Sequence, residues 1–157
     1  MNVKAEFVNY LQQDAVLTLE GKTKKEVLEE IIAFATTRCT LDDIQLRELI
    51  WKREKMMTTG VGNGLALPHI RVAGFPAPLV IVGRCTNPIP SGESNSDYRT
   101  LDNEPVRLIV FLAADEKDQD AYLNILKSIS VKLKDKALMD EILAASGPKA
   151  IFDILSR

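Results

Sequence analysis

Two near-continuous apolar stretches, Leu79–Cys85 and Val106–Leu112, constrain this chain of 157 residues more than any other feature. A strand with one solvated face alternates apolar and polar residues. A run without that alternation belongs in a sheet covered on both faces. The segments around the two runs supply the covers. Val16–Leu19 reads as a short strand ended by Gly21. Thr23-Lys24-Lys25-Glu26 has the capping-box pattern, with the threonine as N-cap and the glutamate reaching back. Val27, Leu28, Ile31, Ile32 and Ala35 follow at helical spacing and predict an amphipathic helix from Thr23 to about Thr37. A second helix begins after Thr40, with Asp42 and Asp43 suited to the positive end of its dipole. Its apolar face is Ile44, Leu46, Leu49 and Ile50, and it ends near Lys55, which puts Arg53 and Glu54 in its last turn.

After the second apolar run, Asp118-Gln119-Asp120 opens a helix carrying Leu123, Leu126, Ile129 and Leu133. Another helical region spans roughly Lys136–Leu143, Gly147-Pro148 breaks it, and Ala150–Leu155 makes a short terminal helix. Asn87–Glu104 is polar and reads as a long loop, expected to shape access to a site or to select partners. This order predicts an α/β fold: a three-layer sandwich with a central mixed sheet flanked by helices. At this length a single domain over residues 1–157 is the expectation.

Charge and cysteine usage exclude several functions. The formal net charge is −2, so bulk charge offers no attraction to nucleic acid or to anionic lipid. Two cysteines, Cys39 and Cys85, are too few for a disulfide scaffold or a four-ligand zinc site, and they read as core residues. The longest strongly apolar run, Leu108–Ala114, is far short of a membrane span. Met1–Glu6 lacks the apolar core of a leader, so the expectation is a cytoplasmic protein without direct membrane insertion.

The chemistry concentrates in Thr58–His69, which ends in the only histidine of the chain. Gly60, Gly62 and Gly64 alternate with other residues, and such a segment can turn successive N–H groups toward one point as an anion cradle. Leu65-Ala66-Leu67 reads as a short buried strand, and Pro68 fixes φ just before the imidazole. His69 is thus expected at the end of a strand, beside the cradle formed by Gly60, Gly62, Asn63 and Gly64. An imidazole is nucleophilic near neutral pH, and phosphoryl transfer asks the protein mainly for positioning and charge stabilisation. Arg53 offers a planar fork of donors for phosphoryl oxygens, and Thr59 offers a hydroxyl. No metal and no cofactor is expected. The bland readings stand beside these: Arg53 can simply complement a helix dipole, and spaced glycines can simply make a turn.

Arg53-Glu54, Thr59-Gly60-Val61-Gly62-Asn63-Gly64 and Ala66-Leu67-Pro68-His69 together resemble the active-site signature of the type-2 enzyme IIA proteins. These belong to the bacterial phosphoenolpyruvate-dependent phosphotransferase system, in its fructose/mannitol and nitrogen-regulatory branch. The resemblance runs from the Val16 strand to the chain's end and implies a mannitol-type enzyme IIA sandwich. It implies that His69 accepts a phosphoryl group from the carrier protein HPr or its nitrogen-branch paralogue. The group then passes to a cysteine of an enzyme IIB, or the phosphorylation state signals to regulatory targets. Members commonly carry a second histidine, followed by leucine, near the start of the helix after the second long strand. Here Tyr122-Leu123 occupies that place. A tyrosine hydroxyl can hydrogen-bond a phosphoryl oxygen but brings no positive charge. Arg71 or Arg99 can replace that charge.

Three functions remain open. The first is a phosphocarrier working through His69. The second is a degenerate or purely regulatory interaction module that is not efficiently phosphorylated. The third, an acid/base hydrolase, lacks any nucleophile elbow. A nucleotide loop is disfavoured as well, because no Gly-Lys-Ser/Thr ending follows the glycines. A docking partner needs an apolar rim around the imidazole, for which Met57, Val61, Leu65, Ile70 and Tyr122 are the candidates. No enzyme IIB or IIC sequence is fused within these residues, which tilts the expectation toward the regulatory branch.

Overall fold

The computed structural model describes residues 6–157, so the leader reading of Met1–Ala5 lies outside the described residues. Six strands form one mixed sheet: β1 (Leu11–Leu19), β2 (Gly60–Gly62), β3 (Leu65–Ala66), β4 (His69–Val72), β5 (Leu79–Ile89) and β6 (Val106–Asp115). The spatial order is β1-β5-β6-β3-β2, and β4 also pairs with β6. The pairs β1–β5, β3–β6 and β4–β6 are parallel; β5–β6 and β2–β3 are antiparallel. The two apolar runs are the long central pair, and their side chains split between two cores.

Leu108, Val110, Leu112 and Ala114 of β6 point to one side. There they meet α3 (Gln119–Leu133), α4 (Lys136–Ala144) and α5 (Pro148–Leu155). Ile109, Phe111 and Ala113 point to the other side and meet α1 (Lys24–Ala35) and α2 (Asp43–Met56). That division is the three-layer sandwich expected of strands without alternation.

The helix starts follow their caps. Thr23 accepts a hydrogen bond from Glu26 N–H, while the Glu26 carboxylate accepts from Lys22 N–H, one residue earlier than the reciprocal box requires. The complete box belongs to α2, where Asp42 and Gln45 each accept from the other's N–H. Pro148 occupies the first turn of α5, where its missing N–H costs nothing, so that helix starts at the expected break.

Three elements differ from the sequence reading. β1 begins at Leu11, with a register irregularity between Leu11 and Val16. β5 continues to Ile89, into the segment read as loop. His69 opens a strand that the sequence reading lacks: Pro68 interrupts the edge next to β6, its carbonyl accepts from Leu112 N–H, and β4 resumes beyond it. Residues 90–104 pack against the α1/α2 side. Tyr98 and Thr100 are buried there, and Lys24 N–H donates to the Ser96 carbonyl. No helix among the described residues is long and apolar enough to cross a membrane.

Candidate functional site

Strand β4 runs parallel to β6 with His69 opposite Leu112. Alternation along β4 sends Ile70 into the α1/α2 core, 4% exposed, and leaves His69 and Arg71 on the opposite side. The last turns of α2 bring Lys52 and Arg53 to this edge, and the first turn of α3 brings Tyr122.

The imidazole is held at both nitrogens. Nδ1 lies 2.6 Å from the Leu67 carbonyl oxygen. A carbonyl only accepts, so Nδ1 carries the proton and Nε2 keeps its lone pair. The Arg53 Nε–H donates to that Nε2 at 3.3 Å. Arg53 is itself anchored, because Nη1 donates to the Met57 carbonyl at 2.8 Å and satisfies one of the orphan carbonyls at the end of α2. Burial pulls the His69 pKa below its ordinary 6.5, and the charges of Arg53 and Arg71 act in the same direction. The Leu67 carbonyl and Glu54 oppose the shift without reversing it. The ring is therefore neutral, and a nucleophile at Nε2, at physiological pH.

His69 opens on a cleft of about 560 Å³ lined by Lys52, Arg53, Arg71, Tyr122 and Glu116, among others. None of Lys52, Arg53 and Arg71 has a carboxylate within 4.0 Å among the described residues. The Tyr122 ring centre is 6.0 Å from that of His69, tilted by 54°. The Arg71 guanidinium sits over the Tyr122 ring at 5.5 Å, a cation–π placement. Burial pushes the Tyr122 phenol up, so its hydroxyl stays a donor. Met56 and Leu123 line the cleft with exposed side chains, and Met57 beside Met56 is exposed too. The face is thus basic within the cleft and apolar at its border. Among the described residues no group of three His, Cys, Asp or Glu could hold a metal ion.

Several expected site residues lie elsewhere. Gly60, Gly62, Asn63 and Gly64 do not line the His69 cleft; they build the β2–β3 hairpin. Gly60 N–H donates to Thr58 Oγ1 and Asn63 N–H donates to Asp102. The Asn63 side chain donates to the Leu133 and Lys134 carbonyls at the end of α3. The positive φ values, 111° at Gly62 and 54° at Asn63, serve this docking. In place of the cradle expected beside the imidazole stands a hairpin in which the Gly60 and Asn63 amides already have protein partners.

Thr59, 2% exposed, gives its hydroxyl to Glu54 and is also absent from the cleft. Arg99 pairs with Glu93 at 3.3 Å on the 90–104 segment, of which no residue lines the cleft. Leu65, 2% exposed, belongs to the core, Ile70 is buried but still lines the wall of the cleft, and Val61 faces a separate hollow beside the hairpin. Burial raises the Cys85 thiol to about 12, so it is inert. Sequence reasoning missed Lys52 and the Leu67 carbonyl. Lys52 carried a signal in its position beside Arg53; a backbone carbonyl carries none.

Comparison with known proteins gives a consistent set. The sequence model of the phosphoenolpyruvate-dependent sugar phosphotransferase system, EIIA 2, matches residues 9–157. The fructose-specific EIIABC component of the phosphotransferase system of Bacillus subtilis is 30% identical over 142 residues, 90% of this chain; the match spans only 21% of that protein's length. The nitrogen regulatory protein of Pseudomonas aeruginosa is also 30% identical over 142 residues, covering 90% of this chain and 88% of that protein. The crystal structure of nitrogen regulatory protein IIA-Ntr from Neisseria meningitidis is similar with a TM-score of 0.85 at 25% identity, covering 95% of this chain and 98% of that one. Mannitol enzyme IIA, solved in complex with phosphorylated mannitol enzyme IIB from Escherichia coli, shares the fold at a TM-score of 0.65 and 15% identity, over 93% and 96% of the two chains.

Proposed function

Because the chain belongs to the phosphoenolpyruvate-dependent sugar phosphotransferase system EIIA 2 family, we propose that it is a phosphocarrier with His69 as the phosphoryl acceptor. One observation carries the reading: an imidazole fixed in the Nδ1–H tautomer turns its Nε2 lone pair toward an open cleft bordered by three cations that have no carboxylate partner among the described residues.

In the proposed step the Nε2 lone pair attacks the phosphorus of a phosphohistidine on HPr or its nitrogen-branch paralogue. The new N–P bond forms as the donor's N–P bond breaks, and that electron pair returns to the donor imidazole. The proton stays on Nδ1, hydrogen-bonded to the Leu67 carbonyl throughout, so no proton changes hands. Arg53 releases Nε2 and turns its N–H groups to the equatorial oxygens, with Lys52 and Arg71 adding charge. Tyr122 supplies a hydroxyl donor at the position where the family resemblance expects an imidazole. Thr59 and the glycine hairpin stay outside this ring of groups and support it from behind. Onward transfer to a cysteine thiolate of an enzyme IIB reverses the same geometry. The mannitol enzyme IIA complex with phosphorylated IIB lends that partner class support.

A second reading, a regulatory module that partners read without efficient phosphorylation, is favoured by Tyr122 standing where positive charge is expected. The test separates the two. The chain is incubated with phosphoenolpyruvate, enzyme I and either HPr-type carrier, and mass is followed before and after acid treatment. A carrier gains one acid-labile phosphoryl group, lost in His69→Ala. No gain from either carrier removes the phosphocarrier reading and leaves the regulatory one.

A further inference from the structure

We infer that Glu54, Thr59 and Tyr98 form a buried positioning cluster that sets both hydrogen bonds of the His69 imidazole at once. The inference rests on the reading of His69 as phosphoryl acceptor, but its geometry can be tested separately.

Glu54 is 7% exposed, at the end of α2 and next in sequence to Arg53. A buried carboxylate must be paired and hydrogen-bonded to persist. Lys24 Nζ meets it at 2.8 Å, Thr59 N–H donates to it at 3.3 Å, and the Thr59 hydroxyl donates to its other oxygen. Having given its one proton to the carboxylate, Thr59 Oγ1 accepts from the Tyr98 hydroxyl at 2.6 Å. Tyr98 is fully buried, and burial followed by the Glu54 charge pushes its phenol well up, so it remains a donor. The Lys24 ammonium lies 4.5 Å over the Tyr98 ring and closes the cluster.

Two paths lead from this cluster to the imidazole. One runs through the peptide chain from Glu54 to Arg53, whose Nε–H meets Nε2. The other runs from the Thr59 carbonyl, which accepts from Leu67 N–H at 2.8 Å, to the Leu67 carbonyl, which accepts from Nδ1. A single anchoring point thus fixes the tautomer at one edge of the ring and the cation at the other. Outer partners of this kind commonly set the orientation of a functional histidine. None of the three residues lines the cleft, so each acts through another group. The cluster also gives the 90–104 segment a role, because Tyr98 is its buried anchor.

The test uses the full chain and two readouts. Imidazole ¹⁵N NMR reports the tautomer of His69, and quench-flow phosphorylation by the phosphorylated HPr-type carrier reports transfer. Tyr98→Phe keeps the ring and removes only the hydroxyl; Thr59→Val keeps the shape and removes the shared proton. Each is expected to slow the transfer step by about tenfold, the rate equivalent of one buried hydrogen bond, with little change in carrier affinity. Each is also expected to shift the His69 ¹⁵N signals toward mixed tautomers, and Thr59→Ser is expected to restore both readouts. Folded Tyr98→Phe protein with wild-type ¹⁵N shifts, and transfer within about twofold of wild type, overturns the inference. A wild-type chain that accepts no phosphoryl group overturns the carrier reading instead, and the NMR arm still decides the positioning claim.

Discussion

Replacing Arg53 by methionine is expected to slow phosphoryl transfer to His69 by about 100- to 1,000-fold, the usual cost of one preorganised donor at the reacting centre. The structure gives the magnitude its basis. Arg53 Nε stands 3.3 Å from Nε2, so a phosphoryl group built on Nε2 places its oxygens within hydrogen-bond reach of the guanidinium. Two unit charges about 4 Å apart interact by about 4 kcal/mol at the effective dielectric of about 20 typical near a protein surface. That value matches the upper end of the expected loss, about 4 kcal/mol for 1,000-fold, and the doubly charged phosphoryl group offsets part of the solvent screening. Methionine preserves the stem's apolar contacts, and the Nη1 bond to the Met57 carbonyl is worth only about 1 kcal/mol, so the fold survives. The same substitution removes a charge that holds the His69 pKa down, so that pKa rises. Arg53→Lys keeps the charge but loses the planar fork, and about a tenfold loss is expected. Quench-flow phosphorylation and a ¹H NMR titration of the His69 ring measure both effects. Transfer by Arg53→Met within about threefold of wild type, together with an unmoved His69 pKa, would refute the assignment of Arg53 to the phosphoryl group.

Arg71→Met is expected to slow transfer by about tenfold and to raise the His69 pKa, whereas Tyr122→His is expected to speed transfer by adding a chargeable donor; both are read in the same quench-flow assay. Gly60→Ala is expected to cost about 1–3 kcal/mol in urea unfolding while leaving the His69 pKa in place. Its added Cβ would come within 2.2 Å of the Arg99 carbonyl oxygen, on the hairpin side away from the imidazole. His69 also makes stability depend on pH. Its folded pKa lies below the unfolded value, so the unfolded chain binds more protons between the two. The stability contributed by the neutral ring is present above the ordinary 6.5 and is lost as pH falls through the depressed folded value. Urea midpoints at neutral and mildly acidic pH should therefore converge in His69→Asn relative to wild type, and an undiminished difference would contradict the burial of the ring.

Layering was legible because β5 and β6 are apolar on both faces, and no other arrangement buries Ile109 and Val110 together. The α1 start was legible from Thr23, whose side chain does cap, whereas Asp42, read as part of the first turn of α2, is its N-cap. His69 and Arg53 could be singled out because residue type limits what chemistry is possible. The glycine segment was misread in role because φ freedom is needed equally for an anion cradle and for a tight hairpin. The choice between them is made by Asp102 and by the Leu133 carbonyl, distant in sequence. Tyr98 stayed hidden for a related reason. It sits among serines and acids in a stretch whose composition says loop, yet its partners Thr59 and Lys24 lie 39 residues and more away along the chain.

On the proposed reading of His69, carrier and signal would be two uses of one electrostatic arrangement. Lys52, Arg53 and Arg71 face the cleft, whose one acidic lining residue among the described residues is Glu116. Arg53 and Arg71 disfavour a proton on His69, and all three cations suit a dianion there. A phosphoryl group brings about −1.5 to −2 charge. On His69 it would cancel most of the local positive excess behind the exposed Met56 and Leu123. Under the proposed role of His69, this neutralisation is expected to weaken the hold on a donor and to favour a partner that reads the altered charge. Tyr122 bears on this balance directly. An imidazole in its place would add a titratable cation beside the phosphoryl group, whereas the phenol leaves the charge of the face set by the two arginines and Lys52. With no second imidazole beside His69, the pH dependence of the proposed loaded face is left to the phosphohistidine itself.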